Sequence, residues 1–254
     1  MAILRKNPAA IERIRASCQV VFLVQQALEA AIAPGVTTLE LDALAEKTIR
    51  ACGAMPAFKG YRGFPASICA SVNDEAAHGF PGRRRLCAGD LLSVDVGVEL
   101  GGYYGDGAFT VGVGPIGTAE TRLLEATRAC LEVGIRRARP GNRLSDISHA
   151  VQSCAEEAGF AVVREFGGHG IGRALHEEPH VSNYGPPGRG ARLQPGFVLT
   201  VEPILSMGGA EVVVDGDGWT TRTRDGAPAA HFEHTIAITA QGPRILTLPR
   251  GSGG

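Results

Sequence analysis

Two stretches of this chain of 254 residues, about 106 residues apart, carry the same series of secondary-structure signals. In the first stretch, a helix that starts at Asn7-Pro8 leads to a Pro34-Gly35 turn, and a second helix ends at Gly53. A shift of 106 residues turns these last two features into Pro140-Gly141 and Gly159. A duplicated unit accounts for this match, and a chance similarity between two helix-plus-strand units is the alternative.

The repeat extends to strands that end on a carboxylate. The segment ending at Asp95 matches the segment ending at Glu202 at an offset of 107. Tight glycine turns separate most predicted strands, so largely antiparallel sheets are expected; the strands are 91–98, 103–111, 197–202, 211–215 and 232–239. We predict an α+β fold with pseudo-twofold symmetry and antiparallel sheets flanked by helices. It forms a single domain over 1–254, with repeats of about 8–112 and 118–240 and a disordered tail at 249–254.

Composition excludes several classes of protein. The 35 glycines show no three-residue period, which excludes collagen, and a formal charge of −1 with 44% hydrophobic residues argues against a disordered chain or a polybasic nucleic-acid binder. The longest early apolar run, Val20 to Val24, is too short to span a membrane. The six cysteines form no C-x-x-C pair. We therefore expect a reduced, cytoplasmic protein without nucleic-acid or membrane partners. The chain shows no long apolar stretch expected to be exposed, so a monomer is the default expectation.

The segment from Val94 to Asp106 is typical of a hairpin with carboxylates on its strands. If the two-residue loop is Leu100-Gly101, Asp95 and Asp106 face each other with Cβ atoms about 5 Å apart. Two opposed carboxylates destabilise a hairpin unless a proton or a cation lies between them. Two solvated aspartates on an exposed face are the alternative, and a loop one residue longer would break the pairing.

Further candidate ligands lie in the second half of the chain. His169 is surrounded by glycines, Glu202 ends an apolar strand, and Glu233 opens another. Charged groups seldom begin and end core strands without a partner. Together with Asp95 and Asp106 they give four carboxylates, which would balance two divalent cations in a dinuclear site. One imidazole among oxygen ligands favours Mn, Fe, Co or Zn.

The ordered motifs of the chain resemble those of type I methionine aminopeptidases in their short bacterial form. The resemblance spans about 8–248 and rests, besides the hairpin, on Gly60-Tyr61-Arg62-Gly63-Phe64-Pro65, Asn73-Asp74-Glu75 with His78-Gly79, Gly168-His169-Gly170-Ile171-Gly172, His176-Glu177-Glu178-Pro179, Thr200-Val201-Glu202-Pro203 and Phe232-Glu233-His234-Thr235. It implies the duplicated pita-bread fold of that family.

The resemblance also implies a role for each candidate ligand. Asp95 would bind one metal, His169 and Glu202 the other, and Asp106 and Glu233 both. A water or hydroxide bridging two divalent metals would attack the carbonyl that follows the first residue of the substrate.

Other residues acquire roles by the same resemblance. Glu202 would shuttle the proton, His176 would stabilise the oxyanion, and His78 would bind near the scissile amide. The methionine side chain would enter a pocket lined by Phe58, Tyr61, Phe64, Cys69, Leu175 and Trp219. Many family members have an aromatic residue in place of Leu175 and a histidine in place of Arg62, which leaves pocket shape open.

Three functions follow from this reading. The first is metal-dependent removal of the N-terminal methionine from nascent proteins with a small second residue, with docking at the ribosome left open. The second is a prolidase or aminopeptidase P-like exopeptidase of the same fold. The third is a non-catalytic binding protein that has kept that fold.

Overall fold

Four long helices and fifteen short strands make up residues 3–249, the part of the chain that this computed structural model describes. The helices are α1 (Pro8–Ala31), α2 (Thr38–Ala51), α3 (Thr118–Arg137) and α4 (Leu144–Ala158), and a short 3₁₀ turn covers Tyr61–Gly63. The strands are β1 (Met55–Pro56), β2 (Ile68–Val72), β3 (Glu75–Ala77), β4 (Leu91–Leu100), β5 (Tyr103–Gly112), β6 (Ala161–Val162), β7 (Gly167–Gly170), β8 (Glu177–Ser182), β9 (Val198–Val201), β10 (Ile204–Ser206), β11 (Val212–Val214), β12 (Thr221–Thr223), β13 (Ala229–His231), β14 (His234–Thr239) and β15 (Gly242–Ile245).

The first two helices begin where the sequence predicts. The Asn7 side chain accepts a hydrogen bond from the backbone N–H of Ala10 at 2.8 Å, and Pro8 occupies the first turn, where its missing N–H costs nothing. Thr37 and Glu40 form the predicted capping box at the start of α2. The predicted helix starts are therefore confirmed by specific side-chain bonds.

Every strand pair in the described chain is antiparallel. The first half forms a four-stranded sheet in which the long strand β4 pairs with β1, β2 and β5. The second half builds a five-stranded sheet in the order β15-β14-β9-β7-β8, and two three-stranded sheets, β13-β10-β6 and β11-β12-β3, complete the fold. The predicted mixture of helices and antiparallel sheets is confirmed.

Helices cover one face of each large sheet. Val21 and Leu28 of α1 pack with Val94 of β4 in one buried cluster, and Ile147 of α4 packs with Leu199 of β9 in another. The two halves meet where β5 lies against β14. The faces left uncovered by helices at this meeting point are where the candidate site residues lie.

The register of the β4–β5 hairpin differs from the prediction. The loop is Gly101-Gly102, Asp95 pairs with Ala108, and Asp106 pairs with Gly97. The two loop glycines have φ angles of 59° and 80°, as a type I′ turn requires of both central residues, and a side chain such as that of Leu100 would be strained there. The predicted direct pairing of Asp95 and Asp106 is wrong, although both carboxylates still lie on the same face of the hairpin.

The predicted duplication of 8–112 and 118–240 within a single domain stays a prediction. Beyond Pro249, the predicted disordered tail lies outside the described residues. No helix within residues 3–249 combines the length and the apolarity needed to cross a bilayer.

Candidate metal centre and active site

Five strands or strand ends bring the five candidate ligands to one place. Asp95 lies on β4, Asp106 on β5 and His169 on β7, while Glu202 directly follows β9 and Glu233 directly precedes β14. The Nε2 atom of His169 lies 3.7 Å from both Asp106 Oδ2 and Glu202 Oε1. Ligand atoms of Asp106, His169 and Glu233 all lie within 4.8 Å of one another, a spacing at which they could hold a metal ion.

The backbone around His169 fixes the direction of its ring. The Nδ1 atom lies 2.9 Å from the carbonyl oxygen of Gly170, which can only accept, so Nδ1 carries the proton. The lone pair of Nε2 is then directed at the carboxylates, as in a metal-binding histidine. A Cβ atom on Gly168 or Gly170 would lie 2.2 Å from the backbone oxygen of Thr200 or Glu178. The glycines next to His169 therefore permit close approach of the neighbouring strands.

Thr200 joins two of the candidate ligands through one hydroxyl group. Its Oγ1 accepts from the backbone N–H of His169 at 2.9 Å and donates to Glu202 Oε1 at 2.8 Å. Because Thr200 and Glu202 are two residues apart, strand alternation places them on one face. The quoted motif contains both residues, yet sequence reasoning missed the threonine's part.

The carboxylates are held together without enough protein partners. Asp95 Oδ1 and Glu233 Oε1 are buried and have no hydrogen-bond partner among the described residues. Burial raises the pKa of Asp95 to about 7 and that of Glu202 to about 8. Burial and the neighbouring carboxylates also raise the pKa values of Asp106 and Glu233 well above the ordinary range.

These observations fit a divalent cation site. Buried carboxylates need protons, hydrogen bonds or metal ions. Two of the carboxylate oxygens in this cluster have no hydrogen bond among the described residues. Burial lowers the pKa of His169 to about 3, so its ring is neutral and able to ligate. Four carboxylates and one imidazole are a donor set suited to divalent metals of the Mn, Fe, Co and Zn group.

Two further histidines border the cluster. The ring of His176 lies 4.2 Å from that of His169 and is stacked on Tyr61 at 5.3 Å, and its Nδ1 lies 2.9 Å from the Tyr61 hydroxyl. His176 is exposed as a residue; partial desolvation, followed by the charge of Arg62, lowers its pKa to about 4. Arg62 is exposed, with its guanidinium over the Tyr61 ring at 5.4 Å.

His78 lies on the opposite wall with an unusual backbone conformation. Its φ angle is 56°, in the left-handed region, and its ring makes edge contacts with Phe166 at 5.0 Å and Trp219 at 6.0 Å. Burial lowers its pKa. Strained positions of this kind concentrate at functional sites.

All six residues predicted to line the pocket belong to one apolar cluster. Phe64 makes edge contacts with Phe58 at 6.4 Å and with Trp219 at 5.1 Å. The six members are Phe58, Tyr61, Phe64, Cys69, Leu175 and Trp219. Phe80, which the sequence did not single out, packs on Phe64 at 5.1 Å.

A small cavity lies beside the carboxylates, and Cys69 of the apolar cluster contributes to its wall. Cys69, His78, Asp95 and Glu202 line it. Six further lining residues were not predicted as site residues: Ser71, Ala77, Ser93, Phe166, Ile204 and His231. Ile204 and His231 lie on β10 and β13, three-residue strands too short to show a periodic pattern.

Comparisons with known proteins identify the family. The sequence profile of metallopeptidase family M24 matches residues 12–240 of the chain. The chain belongs to this family. Among M24 relatives, methionine aminopeptidase 1 of Bacillus subtilis is 49% identical over 96% of this chain and 99% of its own length. Methionine aminopeptidase 1 of Mycobacterium tuberculosis is 46% identical over 96% of this chain and 94% of its own length.

Solved M24 structures give the same result for the fold. The methionine aminopeptidase of Rickettsia prowazekii superimposes with a TM-score of 0.96 at 38% identity, covering 97% of this chain and all of that one. The prolidase of Pyrococcus furiosus superimposes with a TM-score of 0.78 at 22% identity, covering 97% of this chain and 66% of that one. The latter likeness shows the shared fold alone. The predicted pita-bread fold and the resemblance to methionine aminopeptidases are confirmed.

Proposed function

We propose that this M24 protein removes the N-terminal methionine from polypeptides whose second residue is small. The observation that carries the proposal is the buried cluster of carboxylates with His169, which lies next to a cavity whose wall shares Cys69 with an apolar cluster. The relatives that match nearly the whole chain at 46–49% identity are methionine aminopeptidases. The prolidase likeness is confined to the fold, and the non-catalytic alternative has no supporting observation.

We assign the metal-binding positions to Asp95, Asp106, His169, Glu202 and Glu233, which would together hold two divalent cations. The orphaned carboxylate oxygens and the directed Nε2 of His169 support this assignment. When bound, two divalent cations of the Mn, Fe, Co or Zn group supply Lewis acidity that polarises a carbonyl and lowers the pKa of water.

The protein side chains would then divide the work of proton transfer and charge stabilisation. Glu202 accepts the proton of the attacking water and passes it to the leaving amine, since a carboxylate with a raised pKa can both take and give a proton near neutral pH. His176, at the open edge of the cluster, donates to the developing oxyanion. His78, on the opposite wall, binds the scissile amide.

The pocket sets the first residue of the substrate. The rings of Phe58, Phe64 and Trp219 with Leu175 provide an apolar cleft for an unbranched side chain. Cys69 lines both this cluster and the cavity beside the carboxylates. A methionine side chain placed there puts the bond after it next to Glu202.

The setting of the reaction is also a proposal. The substrates are the N-termini of nascent polypeptides, met in the cytoplasm by a monomer of this chain, with the ribosome as the place of encounter. This setting rests on the sequence pattern and on the substrate class.

The decisive experiment combines metal removal with a choice of peptides. Protein treated with EDTA should be inactive, and adding Mn(II), Co(II) or Fe(II) should restore cleavage of Met-Ala-Ser. Leu-Pro and other Xaa-Pro peptides should stay intact, and their cleavage would transfer the protein to the prolidase class. Metal analysis of the reactivated protein should approach two ions per chain, and saturation of activity at one ion would contradict the dinuclear assignment.

A further inference from the structure

The loop that joins β7 to β8, residues 171–176, carries two of the proposed site residues. Leu175 is buried in the apolar cluster, and the ring of His176 lies 4.2 Å from that of His169. Glu177, the first residue of β8, follows the loop directly. The positions of Leu175 and His176 therefore depend on how this loop is held.

The side chain of Glu177 holds the β7–β8 loop. One carboxylate oxygen, Oε1, accepts from the backbone N–H groups of Arg173 and Ala174 at 2.7 and 3.2 Å. The other oxygen, Oε2, is paired with the ammonium group of Lys6. Glu177 also pairs with Gly170 across β7 and β8. Its carboxylate thus closes the loop onto itself at the end of β7.

Lys6 comes from the segment before α1, 171 residues away from Glu177 in the chain. Its backbone N–H donates to the carbonyl oxygen of Gly196 at 2.7 Å, and its ammonium group also donates to the carbonyl oxygen of Leu4 at 3.2 Å. The side chains of Lys6 and Glu177 are only 9% and 10% exposed. Removing one charge from such a shielded pair leaves the other without its partner, which costs far more than the loss of an exposed ion pair.

The backbone of the loop leaves room for this lysine. A Cβ atom on Gly172 would lie 2.6 Å from Cε of Lys6 and 2.7 Å from Oε1 of Glu177, too close for either group to keep its place. The cationic side chain of the loop itself, Arg173, points elsewhere, with its guanidinium over the Tyr103 ring at 4.7 Å. The charge of Glu177 is therefore balanced by Lys6 from a distant part of the chain.

From these contacts we propose that Lys6 is a positioning residue, which fixes the β7–β8 loop through Glu177 and so places His176 for the oxyanion. The inference deepens the proposed function and rests on the role proposed there for His176. Lys6 itself touches no reacting atom. A displaced oxyanion donor weakens an interaction made in the transition state, so the loss of Lys6 should lower kcat and change KM little.

The first test removes the charge of Lys6 and then that of its partner. Lys6→Met keeps the length of the side chain, and kcat for Met-Ala-Ser should fall by about 10- to 100-fold with KM near the wild-type value. In the double variant Lys6→Met/Glu177→Gln, no charge is left unpaired and the amide oxygen still accepts from the loop N–H groups. It should recover most of the lost turnover. A double variant as slow as Lys6→Met would contradict the proposed pairing.

The matched control is Arg5→Met, next to Lys6 in the same segment. Arg5 is exposed and its Nε donates to the carbonyl oxygen of Pro195 at 3.1 Å, away from the loop. This variant loses the same charge and should keep near wild-type kcat. An equal loss of kcat in Arg5→Met would assign the effect to the segment as a whole and overturn the role of Lys6.

A double-mutant cycle tests whether Lys6 acts through His176. Once His176→Ala has removed the imidazole, Lys6→Met should lower kcat little further. Two losses that multiply would overturn the inference, because Lys6 would then act independently of His176. Urea unfolding of each variant sets conditions at which all of them are folded.

Hydrogen exchange separates this inference from the proposed function. The backbone amides of Arg173 and Ala174 should exchange faster in Lys6→Met than in the wild type or in Arg5→Met. Wild-type exchange in Lys6→Met would overturn the inference, and so would faster exchange with an unchanged kcat. If the wild-type protein did not cleave Met-Ala-Ser, the proposed function would fail, and the exchange rates alone would decide whether Lys6 fixes the loop.

Discussion

Asp95 and Asp106 lie diagonally across the β4–β5 hairpin, on the same face. Burial and the charge of Asp95 raise the pKa of Asp106 well above its ordinary value. Without a cation, the cluster therefore favours states in which part of it is protonated. On the proposed ligand assignment, a metal ion would replace such a proton, so occupancy of the site and the charge state of the cluster would be linked.

The first prediction concerns the pH dependence of stability in metal-free protein. The folded-state pKa is raised from 3.8 to about 7 for Asp95 and from 4.5 to about 8 for Glu202, so the protonated forms stabilise the fold at low pH, and this contribution is lost as pH rises from the ordinary carboxyl range to these raised values. After EDTA treatment, the melting temperature should fall between about pH 4 and pH 8, by roughly 2–4 °C for each kcal/mol lost. Adding Mn(II) should remove most of the fall. Asp95→Asn should flatten the metal-free profile, and a wild-type profile that is already flat would contradict the linkage.

The second prediction concerns Glu202. Glu202→Gln keeps the size of the side chain and its bond from Thr200, but the amide cannot take up a proton. Turnover of Met-Ala-Ser should fall by about 10²–10⁴-fold, the usual contribution of a general acid–base group. Circular dichroism and melting temperature should show a folded protein. The matched control is Glu178→Gln, an exposed neutral replacement that should keep near wild-type turnover.

The third prediction separates His78 from His169. His78→Ala should lower kcat strongly with little effect on metal affinity, because we propose that His78 binds substrate and not metal, and its ring contacts Phe166 and Trp219. His169→Ala removes an Nε2 that lies 3.7 Å from two carboxylates and should weaken metal binding. Metal titrations of both variants check this contrast, and equal losses of affinity would show that His78 is itself a ligand.

The fourth prediction concerns Arg222, whose ion pairs connect strands β3 and β12 next to the pocket. Its guanidinium donates to Asp74 at 3.1 Å, Glu75 at 2.8 Å and Asp215 at 2.7 Å. Arg222 lies on β12 opposite Glu75 of β3. His78 follows β3 directly, so this ion network fixes one wall of the site.

Arg222→Gln should lower the free energy of unfolding by about 1–3 kcal/mol, because three carboxylates lose their shared cation. It should also lower kcat through displacement of His78. The neighbouring pair of Arg224 and Glu211 is exposed, with a contact of 2.8 Å, and Arg224→Gln should cost at most about 1 kcal/mol. Urea unfolding and kinetics of the two variants provide the comparison, and equal effects would argue against a special role of Arg222.

The sequence predicts some features of this protein better than others, for physical reasons. The capped starts of α1 and α2 are correctly predicted because Asn7 and Thr37 satisfy N–H groups within their own helix. The predicted register of the β4–β5 hairpin is wrong because the register is fixed by the turn type and not by the alternation of side chains. The glycines at 101 and 102 decide that turn through their positive φ angles.

In the candidate site, too, the sequence singles out some residues and misses others. His169 is singled out in the sequence because glycines surround it, and Glu202 and Glu233 because a charged group next to an apolar strand is unusual. His231 is not assigned to the cavity from sequence, since its position depends on the pairing of two three-residue strands, β10 and β13. Contacts of that kind depend on tertiary packing and leave no periodic pattern.

The positions of the ligands along the chain have a consequence for the cell. Asp95 and Asp106 precede α3, whereas His169, Glu202 and Glu233 follow it, so neither part of the chain alone carries the complete set. On the proposed ligand assignment, a newly made molecule would gain hydrolytic activity only after both parts have folded and docked. Partly folded copies and proteolytic fragments would thereby be kept from acting as unregulated peptidases.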